Sequence, residues 1–136
     1  MKEKIFIDTG FWIALLNKQD EYHQIAKRNF KSILRNYCFY SSEFIVFETI
    51  TYLNCSIKNH DLALKFLDKI ESNNFVTIIE VDINIKNKAL EIFKKYDNQF
   101  FSHTDCTSFA IMQKEKFTKY AGFDDHFKSM GFYPVL

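Results

Sequence analysis

Apolar residues follow two rhythms along this chain. Around Ile5-Phe6-Ile7, Cys38-Phe39-Tyr40 and Phe75 to Ile79 they form short unbroken runs, the pattern of strands buried on both faces. Elsewhere they recur at helical spacing. The pattern predicts a strand over 4–7, a helix over 11–16, and a helix opening at Asp20-Glu21 that turns Ile25, Ala26, Phe30, Ile33 and Leu34 inward. It then predicts a strand over 38–41 and a helix over 43–57 capped by Ser42. A helix opening at His60-Asp61 has Leu62, Leu64, Phe66, Leu67 and Ile70 as its apolar face. There follow a strand over 75–79, helices over 83–96 and 104–115, a weak strand over 119–123, a short helix over 125–130 and an edge strand over 133–135. Strands separated by helices predict a single α/β domain spanning 1–136 with a mostly parallel central sheet of 4–5 strands.

Composition narrows this only a little. With 136 residues, 47% apolar and 26% charged, the chain is long enough to bury a core, and its sixteen Phe and seven Tyr make that core aromatic. A net charge of +1 excludes a histone-like polycation but leaves room for a local nucleic-acid surface. Cys38, Cys55 and Cys106 are odd in number and show no C-x-x-C spacing, and Met1-Lys2-Glu3-Lys4 does not read as a signal peptide, so a reducing cytoplasm is expected. No apolar run is long enough to span a bilayer, so no membrane association is expected.

The chemistry begins at Ile5-Phe6-Ile7-Asp8-Thr9-Gly10, where a strand runs into an acid. Asp-Thr-Gly is the triplet of aspartic proteases. Those enzymes need a glycine-rich β scaffold and two aspartates sharing a proton, whereas here an apolar helix follows and the chain has only three glycines. Two readings remain for Asp8: a helix cap, or a ligand at the carboxyl edge of the sheet. Glu48 sits among Phe44, Ile45, Val46, Phe47, Ile50 and Leu53, which nearly encircle its helix. A buried carboxylate there needs a lysine, a metal or a solvated stripe shared with Thr51 and Tyr52. Asp105 falls in the first turn of a helix with Thr104 as candidate cap, and helix-dipole stabilisation alone accounts for it. Asp124 ends a strand as Asp8 does, and Asp125 reads as the plain helix-start acid.

Several carboxylates at strand ends and helix starts of one sheet repel one another unless neutralised. Mg²⁺ or Mn²⁺, hard cations with oxygen ligands, resolve that repulsion and can activate water against a phosphodiester. His23, His60, His103 and His126 are scattered, so no zinc set is expected, although His103 and His126 lie near the acids in sequence. The glycine-loop and nucleophile-elbow motifs are missing.

The order of these segments resembles the PIN-domain ribonucleases, and within them the VapC-like toxins of toxin–antitoxin pairs. The likeness runs through Ile7-Asp8-Thr9-Gly10-Phe11, the Asp20-x-x-His23-x-x-Ala26 segment, Tyr40 to Thr49 with Glu48, Ser102 to Phe109 with Asp105, and Phe123-Asp124-Asp125-His126-Phe127 closed by Gly131-Phe132. The resemblance implies a Rossmann-like three-layer α/β/α sandwich. It implies Asp8, Glu48, Asp105 and Asp124 as catalytic, metal-binding acids, with Thr9 and Thr104 as supporting hydroxyls and Asp125 as an alternative carboxylate. Many relatives carry Thr or Ser two residues before the fourth acid, where this chain has Gly122. The implied activity is Mg²⁺- or Mn²⁺-dependent endonucleolytic cleavage of RNA by a homodimer held by a cognate antitoxin, with DNA contacted only through that antitoxin. An RNA-processing nuclease without a toxin role, and a PIN-fold binding module with impaired catalysis, are the alternatives. Lys114, Lys116 and Lys119 are close in sequence to the acids and are candidates for phosphate contacts or for a solvated helix end.

Overall fold

Ile5, Phe6 and Ile7 are completely buried, which accounts for the unbroken apolar run: β1 (Glu3–Ile7) is the middle strand of the sheet. The computed structural model describes residues 1–72 and 74–136. Beside β1 lie β2 (Tyr37–Ser42), β3 (Val76–Ile79), β4 (Lys119–Ala121) and β5 (Tyr133–Pro134), paired in parallel in the order β3-β2-β1-β4-β5. Helices α1 (Thr9–Leu16) and α2 (His23–Asn36) connect β1 to β2, and α3 (Glu43–Thr51) and α4 (His60–Ser72) connect β2 to β3. Helices α5 (Ile83–Lys95) and α6 (His103–Lys114) return the chain to β4, and α7 (His126–Ser129) leads to β5. The chain first steps outward from β1 on one side and then on the other. Right-handed crossovers therefore put α1–α4 on one face and α5–α7 on the opposite face, making three layers.

Aromatic side chains fill both interfaces. Trp12 of α1 packs its ring against Phe39, Phe66 and Phe75 at centroid distances of 6.5, 5.7 and 6.1 Å. On the other face Phe109 of α6 meets Phe101 and Phe127, each at 5.0 Å, while Phe117 packs on Phe6 and Tyr40.

The sequence pattern errs in specific places. Asp20 and Glu21 precede α2 rather than forming its first turn: Asp20 makes a turn, accepting from the Tyr22 and His23 amides. Ile25 and Leu64, assigned to inward faces, are 41% and 50% exposed, and Ala63 takes the buried position on α4. The helix after β2 changes character at Tyr52–Ser56, a π-helical turn in which the Ile57 amide donates to the Tyr52 carbonyl. Asp124 does not end a strand, because β4 stops at Ala121 and Asp124 lies in the following turn.

Candidate active site

In an open parallel sheet, ligands collect beyond the carboxyl ends of the strands where the chain reverses its direction of winding. Here that point lies between β1 and β4. Ile7 pairs with Ala121, and the Asp8 amide donates to the Ala121 carbonyl at 2.9 Å, so Asp8 and the turn after β4 leave the sheet side by side. Asp8 is 6% exposed and holds the N-cap position of α1. Its side chain makes no capping hydrogen bond, and its backbone carbonyl accepts from the Phe11 and Trp12 amides. The cap reading therefore does not account for the buried carboxylate.

Glu48 reaches the same edge from α3. The aromatic and aliphatic residues around it do not bury it as expected: Phe47 is 54% exposed and Glu48 is half-buried. The Thr9 hydroxyl donates to Glu48 Oε1 at 2.5 Å, tying the start of α1 to α3. Asp105 comes from the first turn of α6. The cap of that helix is Ser102, not Thr104. The Asp105 amide donates to Ser102 Oγ at 3.0 Å, and the Ser102 amide donates back to Asp105 Oδ2 at 3.2 Å, a capping box that fixes the carboxylate. The capping role and the site role coexist in Asp105, because Oδ2 also lies 3.1 Å from His126 Nδ1. Asp124 Oδ1 accepts from the His126 amide at 2.9 Å and lies 3.4 Å from the same ring nitrogen. With a proton on Nδ1 the ring bridges the two carboxylates.

These residues line a cleft of about 610 Å³ containing Asp8, Asp20, Glu48, Asp105 and Asp124, with neither a lysine nor an arginine among the described residues that line it. The Asp8 carboxyl is pushed up from 3.8 to about 8, first by burial, then by the charge of Asp105, and further by Glu48 and Asp124, against the pull of the Thr9 amide. The charge crowded around Asp8 is of the kind a bound cation would relieve. The ligand atoms of Asp105, Asp124 and His126 lie within 4.8 Å of one another, and the donor set is mainly carboxylate oxygen, which fits a hard divalent ion. Cys106, beside Asp105, is buried and its thiol is pushed up to about 11, so it adds no thiolate.

Other candidates fall outside the cleft. Thr104 lines a neighbouring groove with Glu48, Phe44 and Phe47. Asp125 projects into solvent with a side chain 87% exposed and pairs with Lys128 at 3.5 Å, so it does not substitute for Asp124. Lys119 is at the amino end of β4, paired with Glu3 at 3.0 Å, and Lys114 ends α6 and pairs with Asp82 at 3.6 Å. None of Lys114, Lys116 and Lys119 lines the cleft. His23 is structural: it is buried, and its Nδ1 bonds the Ala14 carbonyl at 2.7 Å, latching α2 to the end of α1. Sequence reading placed His126 near the acids but did not find its contact with both Asp105 and Asp124, since only the tertiary fold brings α7 against α6.

Gly122 has a steric explanation. A Cβ there would meet Asp8 Cβ at 3.0 Å and Asp8 Oδ2 at 3.5 Å, so the bare backbone makes room for the buried acid. Gly122→Ala is expected to fold, to shift Asp8 by a few tenths of an ångström, and to weaken Mn²⁺ binding about tenfold. Calorimetric titration checks this; unchanged affinity would mean that Asp8 yields without consequence.

The family model for the PIN domain matches residues 5–133, and the chain belongs to the PIN-domain family. It is 33% identical over 131 residues to the 23S rRNA-specific endonuclease VapC20 of Mycobacterium tuberculosis, covering 96% of this chain and 97% of that protein. The crystal structure of M. tuberculosis VapC20, described as a Sarcin-Ricin loop cleaving toxin, superposes with a TM-score of 0.87 at 32% identity over 95% of this chain and 96% of that one. VapBC2 from Rickettsia felis, solved bound to a DNA fragment from its promoter, shares the fold with a TM-score of 0.70 at 14% identity, over 96% of each chain.

Proposed function

We propose that this protein is a metal-dependent endoribonuclease acting as the toxin of a type II toxin–antitoxin pair, with residues 1–136 forming one PIN unit. The observation that carries the reading is the convergence of Asp8, Glu48, Asp105 and Asp124 on one cleft that holds no lysine or arginine among the described residues that line it. Asp8, Asp105 and Asp124 would hold Mg²⁺ or Mn²⁺, with Glu48 completing the acidic wall. A bound ion would activate water for attack on the scissile phosphate and stabilise the leaving oxygen. The chain's own groups prepare the site. Thr9 holds Glu48 in place, and the Ser102 capping box and His126 hold Asp105.

The likeness to VapC20 supports 23S rRNA as the first substrate to test and a small antitoxin as partner. Action in the cytoplasm, a homodimer, and DNA contact only through the antitoxin complete the proposal. Gly122 leaves the acids in place, so its missing hydroxyl is no reason to prefer a catalytically impaired binding module. Purified protein is expected to cut a discrete site in ribosomal RNA with Mg²⁺ or Mn²⁺, and EDTA is expected to stop it. Cutting that persists in EDTA, or equal cutting of DNA and phosphomonoesters, would overturn the proposal.

A further inference from the structure

The mouth of the acidic cleft is aromatic. Tyr22 and Phe123 stack face to face, with centroids 4.3 Å apart and planes 6° from parallel. Tyr52 opens the π-helical turn and Phe100 precedes α6, and all four line the cleft. Tyr22 and Tyr52 are 37% and 41% exposed. Phe100 is 85% exposed and sits at φ +58°, a left-handed conformation that a bulky side chain rarely adopts. Its neighbour explains how it is held there. Phe101 beside it is buried against Phe109, Tyr96 and the His126 ring, which anchors the chain next to the outward-facing Phe100.

This rim poses an electrostatic question. A polyanion entering the cleft meets five carboxylates and, among the described residues that line it, no lysine or arginine. Phosphate–cation pairing, the usual source of nucleic-acid affinity, is missing from the rim itself. Uncharged nucleobases are not repelled by the acids, and aromatic faces bind them by stacking without regard to sequence. Bases in a continuous A-form duplex are already stacked and present no free face.

We propose, on the basis of the ribonuclease reading above, that Tyr22, Phe123, Phe100 and Tyr52 form a stacking rim that receives unpaired nucleobases next to the scissile phosphate. Phe100 and the outer face of the Tyr22–Phe123 stack make the base contact, and the acids carry the chemistry.

The test uses an RNA hairpin whose loop spans the cut site mapped with the wild-type protein, together with copies made abasic at single loop positions. Phe100→Ala and Tyr22→Leu are expected to lower kcat/KM on the intact hairpin about tenfold each, and Phe100→Trp and Tyr22→Phe to retain it. An abasic nucleotide at the stacked position is expected to cost the wild type a similar factor and to cost the matching variant nothing further. If the wild type cuts the hairpin and all four variants match it, the stacking rim is wrong and the ribonuclease reading stands. If Phe100→Ala loses rate equally on intact and abasic loops and sediments as a smaller species, Phe100 is a contact between copies and the proposal falls. If the wild type cuts no RNA at all, both readings fall.

Discussion

Asp8→Asn is expected to reduce RNA cleavage on the order of a thousandfold while making the metal-free protein more stable. The two effects share one cause. Asp8 is the most deeply placed acid of the cleft, buried beside β4 and raised to about 8 by burial and by Asp105, Glu48 and Asp124. Asparagine keeps the shape but removes the charge a divalent ion needs. The sign of the stability effect follows from proton binding. Folded protein holds the Asp8 proton to about pH 8, whereas the unfolded chain releases it near 3.8. Between those values the folded state binds more protons, so wild-type stability falls as pH rises through that window, by something on the order of 5 kcal/mol. Asp8→Asn is expected to flatten that slope, and saturating Mg²⁺ to flatten it in the wild type. Urea denaturation from pH 4 to 8 with and without metal reads all three. A wild-type slope unchanged by metal would mean that the ion does not bind at Asp8, and undiminished cleavage by the variant would remove Asp8 from the mechanism.

Trp12→Ala is expected to cost about 3–5 kcal/mol, a large fraction of the stability of a domain this size. Trp12 is 2% exposed and touches rings from β2, from α4 and from the segment leading into β3. Its removal leaves a cavity that these stiff aromatic neighbours cannot close. The midpoint of thermal unfolding should fall by roughly 10–20 °C. Trp12→Phe, which keeps a ring in the cavity, should lose less than half as much. A loss under about 1 kcal/mol for the alanine variant would show that the cluster repacks. The effect reaches the site, because Trp12 lies one helical turn beyond Asp8 and anchors α1, whose first residue, Thr9, holds Glu48.

The strand-to-acid junction at Ile7-Asp8 was legible because strand direction alone puts the residue after a central parallel strand at the ligand edge. Four of the five acids that line the cleft, Asp8, Glu48, Asp105 and Asp124, were legible as a set through the order of their segments, whereas Asp20 read only as an acid at the start of a helix. What the chain concealed depends on tertiary packing. Apolar residues encircling α3 give no sign of which one stays exposed, so the openness beside Glu48 and the exposure of Phe47 were invisible. Ser102 and Thr104 both precede Asp105 with hydroxyls, and only the realised backbone makes Ser102 the cap. Lys114 is nine residues from Asp105 in sequence, but a straight helix carries it about 14 Å away, to the other end of α6. The π-helical turn at Tyr52 has no sequence signature, and the positive φ of Phe100 beside the buried Phe101 depends on contacts with α6 and α7 that only the folded chain makes.

The winding order has a consequence for synthesis. Asp8 and Glu48 belong to the part of the chain that builds β1, β2 and β3, whereas Asp105 and Asp124 belong to the part that must come back across β1 to lay down β4. Neither part holds a full complement of acids. On the ribonuclease reading proposed above, a nascent chain would lack the full set of acids until Asp124 has been made, and a copy ending before Asp105 would carry only half of them.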